Sequence, residues 1–361
     1  MSNYKRIVVK VGTNLITDDK GWLNHAIIES LVAQLVELKN RAIEVILVSS
    51  GSMGAGRSLL NLPANVGDVV RRQVLSSLGQ VKLIEAYSIQ LAKHAMLCCQ
   101  ILVCKQDFRD RHHYLNMKNC FTALLQDQIL PVVNENDAIA IDELMFTDND
   151  ELAGLIASMM RADALVILTN VDGLLTGHPS TPDATLISSV DISKDKIGHY
   201  IAENKSVFGR GGMHTKCRVA ANLASLGVTT HIANGTTESV LVRLCDGEIL
   251  GTTFVPTKKV SSIKKWISSA DGQEKGTVWI NACAEDVLTD STRVSSLLPI
   301  GIIKIAGTFS KGDLIKVQAE DDRSLGIGIA RYGADKARSD MGQRGKRALI
   351  HYDYLYLKDM A

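Results

Sequence analysis

The stretch Arg6-Ile7-Val8-Val9-Lys10-Val11-Gly12, RIVVKVG, decides how the first two thirds of the chain are read. Its apolar residues run without alternation, which is the mark of a strand buried on both faces. A strand of that kind belongs to a sheet covered by helices on both sides. Lys10 interrupts the run immediately before Val11-Gly12-Thr13. A lysine in a buried strand is rarely there for packing, because an unpaired buried charge is costly. The alternative is an edge position with the ammonium in solvent.

Working outward, short β-branched runs alternate with longer amphipathic ones. Residues 24–40 carry Ile27, Ile28, Leu31, Leu35 and Leu38 at helical spacing, and EVILVSSG (44–51) reads as a second strand. A helical stretch follows from about 71 to 92. The segments MLCCQILVC (96–104), ILPVVNEND (129–137) and ALVILTNVDG (164–173) read as further strands. Then come the helix HTKCRVAANLASLG (214–227) and the strand VTTHIANG (228–235). Strands alternating with helices imply parallel pairing, with ligands at the carboxyl ends of the strands.

The pattern changes across 251–276, a polar stretch rich in Lys and Ser that resembles a boundary. Beyond it TVWINAC, GIIKIAG, DLIKVQ, SLGIGIARY and RALIHYDYLYL are short strand candidates. The expected division is residues 1–256, a linker 257–275, and a small β-rich domain 276–361.

A chain of 361 residues exceeds a typical single core, in keeping with two domains. A formal net charge of +1 supplies no overall field toward nucleic acid or membranes. The seven cysteines form no CxxC pair and several sit in apolar runs, so a reducing compartment is expected. No apolar run approaches membrane-spanning length and the N-terminus turns polar early, so a cytoplasmic location without membrane attachment is expected.

Several strand ends carry residues suited to chemistry. SSGSMGAG (49–56) has glycines that permit a tight turn and close approach to a ligand, although a plain strand–helix turn explains them equally well. NEND (134–137) brings Glu135 and Asp137. TDNDE (147–151) starts a helix, with Asp148 as cap and Glu151 reaching back; it also gathers polar groups where a helix end binds anions. GRGGMHTK (209–216) places three glycines and Arg210 before a helix with Lys216 in its first turn. A cation there opposes the helix dipole, which favours a phosphate-binding role. Together these segments suggest phosphoryl transfer, which needs cations on the transferring oxygens and exact alignment of donor and acceptor.

VVKVGTN, VSSGSMGAGR, PVVNENDAIA, DNDELA, LTNVDGL and GRGGMHTK, in this order, resemble the successive signatures of the glutamate 5-kinase family, within the amino-acid kinase superfamily. The tail, including SSLLPIGIIKIAGTFSKGDLIKV, resembles a PUA domain. The resemblance implies an α/β three-layer sandwich with a mainly parallel central sheet, followed by a small β-rich domain. It also implies ATP-dependent phosphorylation of the γ-carboxylate of L-glutamate, the first step of proline biosynthesis. Lys10 and Lys216 would stabilise the phosphoryl group, with Lys10 also touching ATP, and Asp150 would orient both. Ser50, Gly51, Asp137 and Asn149 would hold glutamate. Thr169, Asn170, Arg210, Gly211, Gly212, Met213, His214, Thr215 and Lys216 would line the nucleotide site, with Mg2+ carried mainly by ATP.

Two positions depart from the family pattern: Asn170 stands where an Asp is usual, and His214 where a Ser or Thr is usual. The resemblance further implies feedback by proline and a homo-oligomer, dimer or tetramer. Competing readings are a kinase of the same fold acting on N-acetylglutamate, aspartate, carbamate or a nucleotide monophosphate, and an RNA-binding protein. The latter draws on the basic cluster Arg331, Lys336, Arg338, Arg344, Lys346 and Arg347 in the tail.

Overall fold

The computed structural model describes residues 4–63, 65–109, 111–140, 146, 148–177, 184–192, 212–256, 267, 274–290 and 295–357. They fall into two compact units, Met1–Lys259 and Val260–Ala361.

The first unit is built on an eight-stranded sheet. Its strands are β1 (Arg6–Val11), β2 (Glu44–Ser49), β3 (Cys98–Val103), β4 (Leu130–Glu135), β5 (Ala164–Thr169), β6 (Ser189–Asp191), β7 (Thr229–Asn234) and β8 (Thr252–Val255). Their spatial order is β3-β4-β2-β1-β5-β7-β8-β6. Every pairing is parallel except β7 with β8. The helices are α1 (Thr13–Ile16), α2 (His25–Asn40), α3 (Ser52–Arg57), α4 (Asp68–Ala92), α5 (Lys105–Arg109), α6 (Arg111–Gln126), α7 (Asn149–Met160), α8 (Met213–Ser225) and α9 (Val240–Cys245).

RIVVKVG is thus the sheet's central strand. Lys10 lies opposite Val48 of β2 and Ile167 of β5, so the edge-position alternative is ruled out. Alternation of side chains decides what each face meets. Ile7, Val9 and Val11 pack with Leu31, Leu35 and Leu38 of α2 and Tyr87 and Leu91 of α4. Lys10 points to the opposite face, where α7 and α8 lie, and reaches a carboxylate there. β1 buries four apolar side chains, Ile7, Val8, Val9 and Val11, which contributes several kcal/mol at about 1.5–3 kcal/mol per fully buried side chain.

The glycines of SSGSMGAG divide into two kinds. Gly51, at φ +100°, makes the left-handed turn from β2 into α3. Gly54 lies against the Gly21 backbone in the loop before α2, and Gly56 serves helix packing, because a Cβ on Gly56 would lie 1.9 Å from the Leu75 carbonyl oxygen. Gly79 answers from α4, where a Cβ would lie 1.7 Å from the Ser52 carbonyl oxygen. The close approach in this stretch is therefore largely helix to helix.

The second unit holds a five-stranded sheet of β9 (Gly276–Ile280), β10 (Ile302–Gly307), β11 (Leu314–Gln318), β12 (Ser324–Ile329) and β13 (Leu355–Leu357). Their order is β10-β9-β11-β12-β13. Helices α10 (Ala282–Thr289) and α11 (Ala334–Asp340) complete it around Val278, Ile280, Ile315, Val317, Leu349 and Ile350. One strand candidate is corrected: RALIHYDYLYL is not continuous. Ile350 makes an isolated bridge to Leu297, Tyr352–Tyr354 form a 3-10 turn with the His351 ring accepting from the Asp353 N–H, and only Leu355–Leu357 join the sheet. The polar stretch 251–276 is also trimmed at both ends, since β8 takes 252–255 and β9 begins at 276.

In the basic cluster, Asp340 pairs with Lys336 at 3.4 Å and Lys346 at 3.6 Å. Asp335 pairs with Arg338 at 3.2 Å. Part of that positive charge is thereby neutralised within the unit.

Candidate active site

Asp150 lies at the centre of the site. Asp148, extended at the N-cap of α7, accepts the N–H groups of Asp150 at 2.9 Å and Glu151 at 3.1 Å through Oδ1. That cap satisfies two of the donors a helix start leaves open and fixes the rotation of the first turn. Glu151 is engaged by Lys105 at the start of α5, at 2.9 Å. Asp150 then points inward and is fully buried. Its Oδ1 is 2.7 Å from Lys10 Nζ and its Oδ2 is 2.8 Å from Lys216 Nζ.

One buried carboxylate thus holds two ammonium groups from opposite ends of the unit. Burial pushes the Asp150 carboxyl upward, but Lys10 and Lys216 together outweigh burial and hold it below the ordinary aspartate value. The trio carries a net single positive charge at neutral pH, aimed at an open cleft. Lys216 enters from the first turns of α8, whose N-cap is Gly212.

The cleft has a volume of about 680 Å³ and lies at the carboxyl ends of β1, β2, β5 and β7. This is where strand order reverses direction along the chain, the usual ligand position in such sheets. One end of its wall is formed by Ser50, Asp148 and Asn149; the other by Thr169 to Leu175 and Asn234. Lys10, Gly12, Thr13 and Lys216 lie on the wall as well.

At the first end the hydrogen bonds dictate polarity. Asn149 Nδ2 donates to Ser50 Oγ and to Asn134 Oδ1, both at 2.9 Å. Asn134 Oδ1 also accepts the Glu135 N–H at 2.9 Å. With both amide hydrogens committed, Asn149 keeps its oxygen as an acceptor, and Ser50 keeps its hydroxyl hydrogen as a donor. Glu135 accepts the Phe146 N–H at 2.8 Å, and burial pushes its carboxyl up to about 7.

The structure brings Lys10, Ser50, Asn149, Thr169, Asn170, Gly212, Met213 and Lys216 onto one cleft wall, with Asp150 beneath. Gly51, Asp137, His214 and Thr215 are not part of that wall. Asp137 is half-buried beside Ser76, Arg72 and Ser52, with burial as the larger influence raising its carboxyl. Arg210 and Gly211 lie outside the described residues. Asn134, Asp172 and Asn234 went unread in the sequence. Asn234 and Asp172 had a signal, since each follows or ends a predicted strand. Asn134 had none beyond its place in NEND.

A mainly parallel sheet with a lysine-flanked cleft at its strand ends suits a class, the small-molecule phosphotransferases. The amino acid kinase family model matches residues 5–234 and the PUA domain model residues 276–349. A carbamate kinase from Giardia lamblia bound to AMP-PNP shares the fold, at TM-score 0.52 and 17% identity over 71% of this chain and 100% of that one. The glutamate 5-kinase of Chlorobaculum tepidum is 51% identical, covering 98% of both chains. That of Bacteroides thetaiotaomicron is 44% identical, covering 98% of this chain and 99% of its own. The chain belongs to the glutamate 5-kinase family.

Proposed function

We propose that the cleft transfers the γ-phosphoryl group of ATP to the γ-carboxylate of L-glutamate, giving glutamyl 5-phosphate and ADP, the first step of proline biosynthesis. The observation that carries the reading is the pair of lysines on Asp150, at 2.7 and 2.8 Å. Phosphoryl transfer spreads charge over the equatorial oxygens of the moving group, and catalysis consists mainly of positioning and stabilising that charge. Lys10 and Lys216 supply it, and Asp150 fixes where their ammonium groups stand.

The bond from γ-phosphorus to the bridging oxygen of ADP breaks as the bond to the carboxylate oxygen forms. No general base takes part, because a glutamate side chain is already ionised at neutral pH. The Ser50–Asn149 end suits an amino acid. A hydroxyl donor beside an amide acceptor matches one carboxylate and one ammonium of the substrate. Glutamate therefore takes that end, with Asp137 and Gly51 as supporting residues, and the nucleotide takes the Thr169–Asn170 and Gly212–Lys216 side.

Among the described residues no cluster of three or more His, Cys, Asp or Glu is arranged to hold a metal. Both oxygens of Asp150 are taken by lysines, whereas Asp148, which lines the cleft, has its Oδ2 buried without a hydrogen-bond partner. That donor set fits a magnesium ion carried by the nucleotide phosphates, with Asp148 as the protein oxygen on offer. When bound, the ion neutralises phosphate charge.

The test is ATP turnover with L-glutamate and magnesium, set against N-acetylglutamate, aspartate and carbamate as acceptors. Glutamate is expected to be preferred, and Lys216→Ala to fold yet lose turnover by about 10²-fold or more. Faster turnover of N-acetylglutamate overturns the substrate; undiminished activity of Lys216→Ala overturns the mechanism.

A further inference from the structure

The β5 loop that walls the nucleotide end of the cleft is fastened from behind. Gly173 (φ +148°) and Gly251 (φ +70°) let the loop touch the start of β8. A Cβ on Gly173 would lie 2.7 Å from Thr252 Oγ1, and one on Gly251 would lie 2.9 Å from the Asp172 carbonyl oxygen. Thr252, fully buried, accepts the Leu174 N–H through Oγ1 at 2.8 Å.

A second fastening faces the cleft. Asn234, the last residue of β7, donates from Nδ2 to Asp172 Oδ1 at 2.9 Å. Its own Oδ1 accepts the Thr236 N–H at 3.0 Å and the Thr236 hydroxyl at 2.8 Å. Two donors on its oxygen settle which way the amide points, so only the nitrogen faces residue 172. Asp172 and Asn234 both line the cleft, and Asn170 and Val171 lie between the β5 end and this bond.

We propose that the Asp172–Asn234 hydrogen bond is a latch that positions the β5 loop for the nucleotide, with both residues acting as positioning residues rather than ligands. The proposal rests on the assignment of ATP to this end of the cleft. A carboxylate on this wall repels a polyphosphate, and the bond to Asn234 fixes where that charge stands. The bond ties the loop after β5 to the end of the neighbouring strand β7.

Because an amide oxygen can replace a carboxylate oxygen as acceptor, variants separate the latch from the charge. Asp172→Ala and Asn234→Asp each remove the bond, the second by setting two carboxylates face to face. Each is expected to raise KM for ATP by about tenfold, the scale of one charge-assisted hydrogen bond, with KM for glutamate and kcat little changed. Asp172→Asn keeps an acceptor and is expected to lose less than about threefold, on the same scale. The double variant Asp172→Asn/Asn234→Asp reverses donor and acceptor and is expected to recover most of the loss of Asn234→Asp.

If Asp172→Asn is as poor as Asp172→Ala, the charge acts directly and the latch is wrong. If the double variant is no better than Asn234→Asp, the bond is not the link and the latch is again wrong. Calorimetric ADP affinities of the same proteins read the latch without turnover. A wild type that binds ADP but leaves glutamate unphosphorylated sinks the assigned reaction, while the ADP affinities still decide the latch.

Discussion

Asn134 holds Asn149 by its amide: a buried side-chain oxygen on β4 accepts Asn149 Nδ2 at 2.9 Å and so turns the Asn149 oxygen to the cleft. Two residues of like chemistry, one on a strand and one on a helix, thus fix the donor and acceptor pattern offered to the cleft. Asn149→Asp replaces the shared donor with a second acceptor facing Asn134 and Ser50. Steady-state kinetics are expected to show KM for glutamate raised by about tenfold or more, with KM for ATP nearly unmoved. An unchanged KM for glutamate removes Asn149 from the substrate end.

Asp150→Asn leaves two buried ammonium groups around a neutral amide that can accept from only one of them. Breaking a buried ion pair on one side costs about 3–5 kcal/mol. Urea titration is expected to show a loss on that scale, and kcat a fall of about 10²-fold or more. Asp150 is held below its ordinary value, so its contribution is present above pH 3.8 and disappears as pH falls through the lower folded value. An Asp150→Asn protein as stable as wild type at pH 7 contradicts the account.

Gly79→Ala drives a methyl toward the Ser52 carbonyl, 1.7 Å from its Cβ position. The α3–α4 contact must open, and overpacking of this kind costs about 1–3 kcal/mol or more. Since α3 begins directly after Ser50 and Gly51, KM for glutamate is expected to rise together with the loss in thermal midpoint. A stability loss with unaltered glutamate kinetics would show that the turn is insulated from the helix.

His231 on β7 is buried between Tyr4, at 2.8 Å, and Thr253, at 2.9 Å, and burial pushes its imidazole down to about 4. It folds neutral. Its contribution is therefore complete above pH 6.5 and is lost as pH falls from 6.5 toward 4, by about 3 kcal/mol at most. Glu135, raised to about 7, acts in the opposite sense: its ionisation opposes the native state increasingly between pH 4.5 and 7. Urea melts at pH 7.5 and 4.5 are expected to show His231→Gln losing less on acidification than wild type, and Glu135→Gln losing more. Parallel curves for all three proteins would contradict both assignments.

How much of this was legible in sequence follows from what pattern can encode. Continuous apolar runs placed β1, β2 and β5, because burial on both faces leaves no polar alternation to confuse the reading. Lys10 stood out for the same reason, as a cation where nothing else was polar, and TDNDE showed its cap because Asp148 acts on neighbours two and three residues ahead. Contacts made across the fold left no such mark. Gly79 gives no hint that it meets Ser52, nor Asn134 that it orients Asn149. RALIHYDYLYL misled because strand propensity is dense along it while a side-chain turn at His351 breaks it. SSGSMGAG misled in part, since glycine serves a helix crossing as readily as a ligand turn.

The arrangement around Asp150 bears on the order in which the chain can assemble. β1 is made first, and its lysine belongs on the buried face of the sheet's centre. Until α7 supplies Asp150, closing the sheet over that ammonium would strand a charge in a dry interior. Lys216 follows later still and adds a second ammonium on the other oxygen of Asp150 from α8. The buried trio thus doubles as a checkpoint during synthesis on the ribosome: a nascent chain released at residue 140 is expected to show no hydrogen-exchange protection at β1, and one carried past α8 to show it in full.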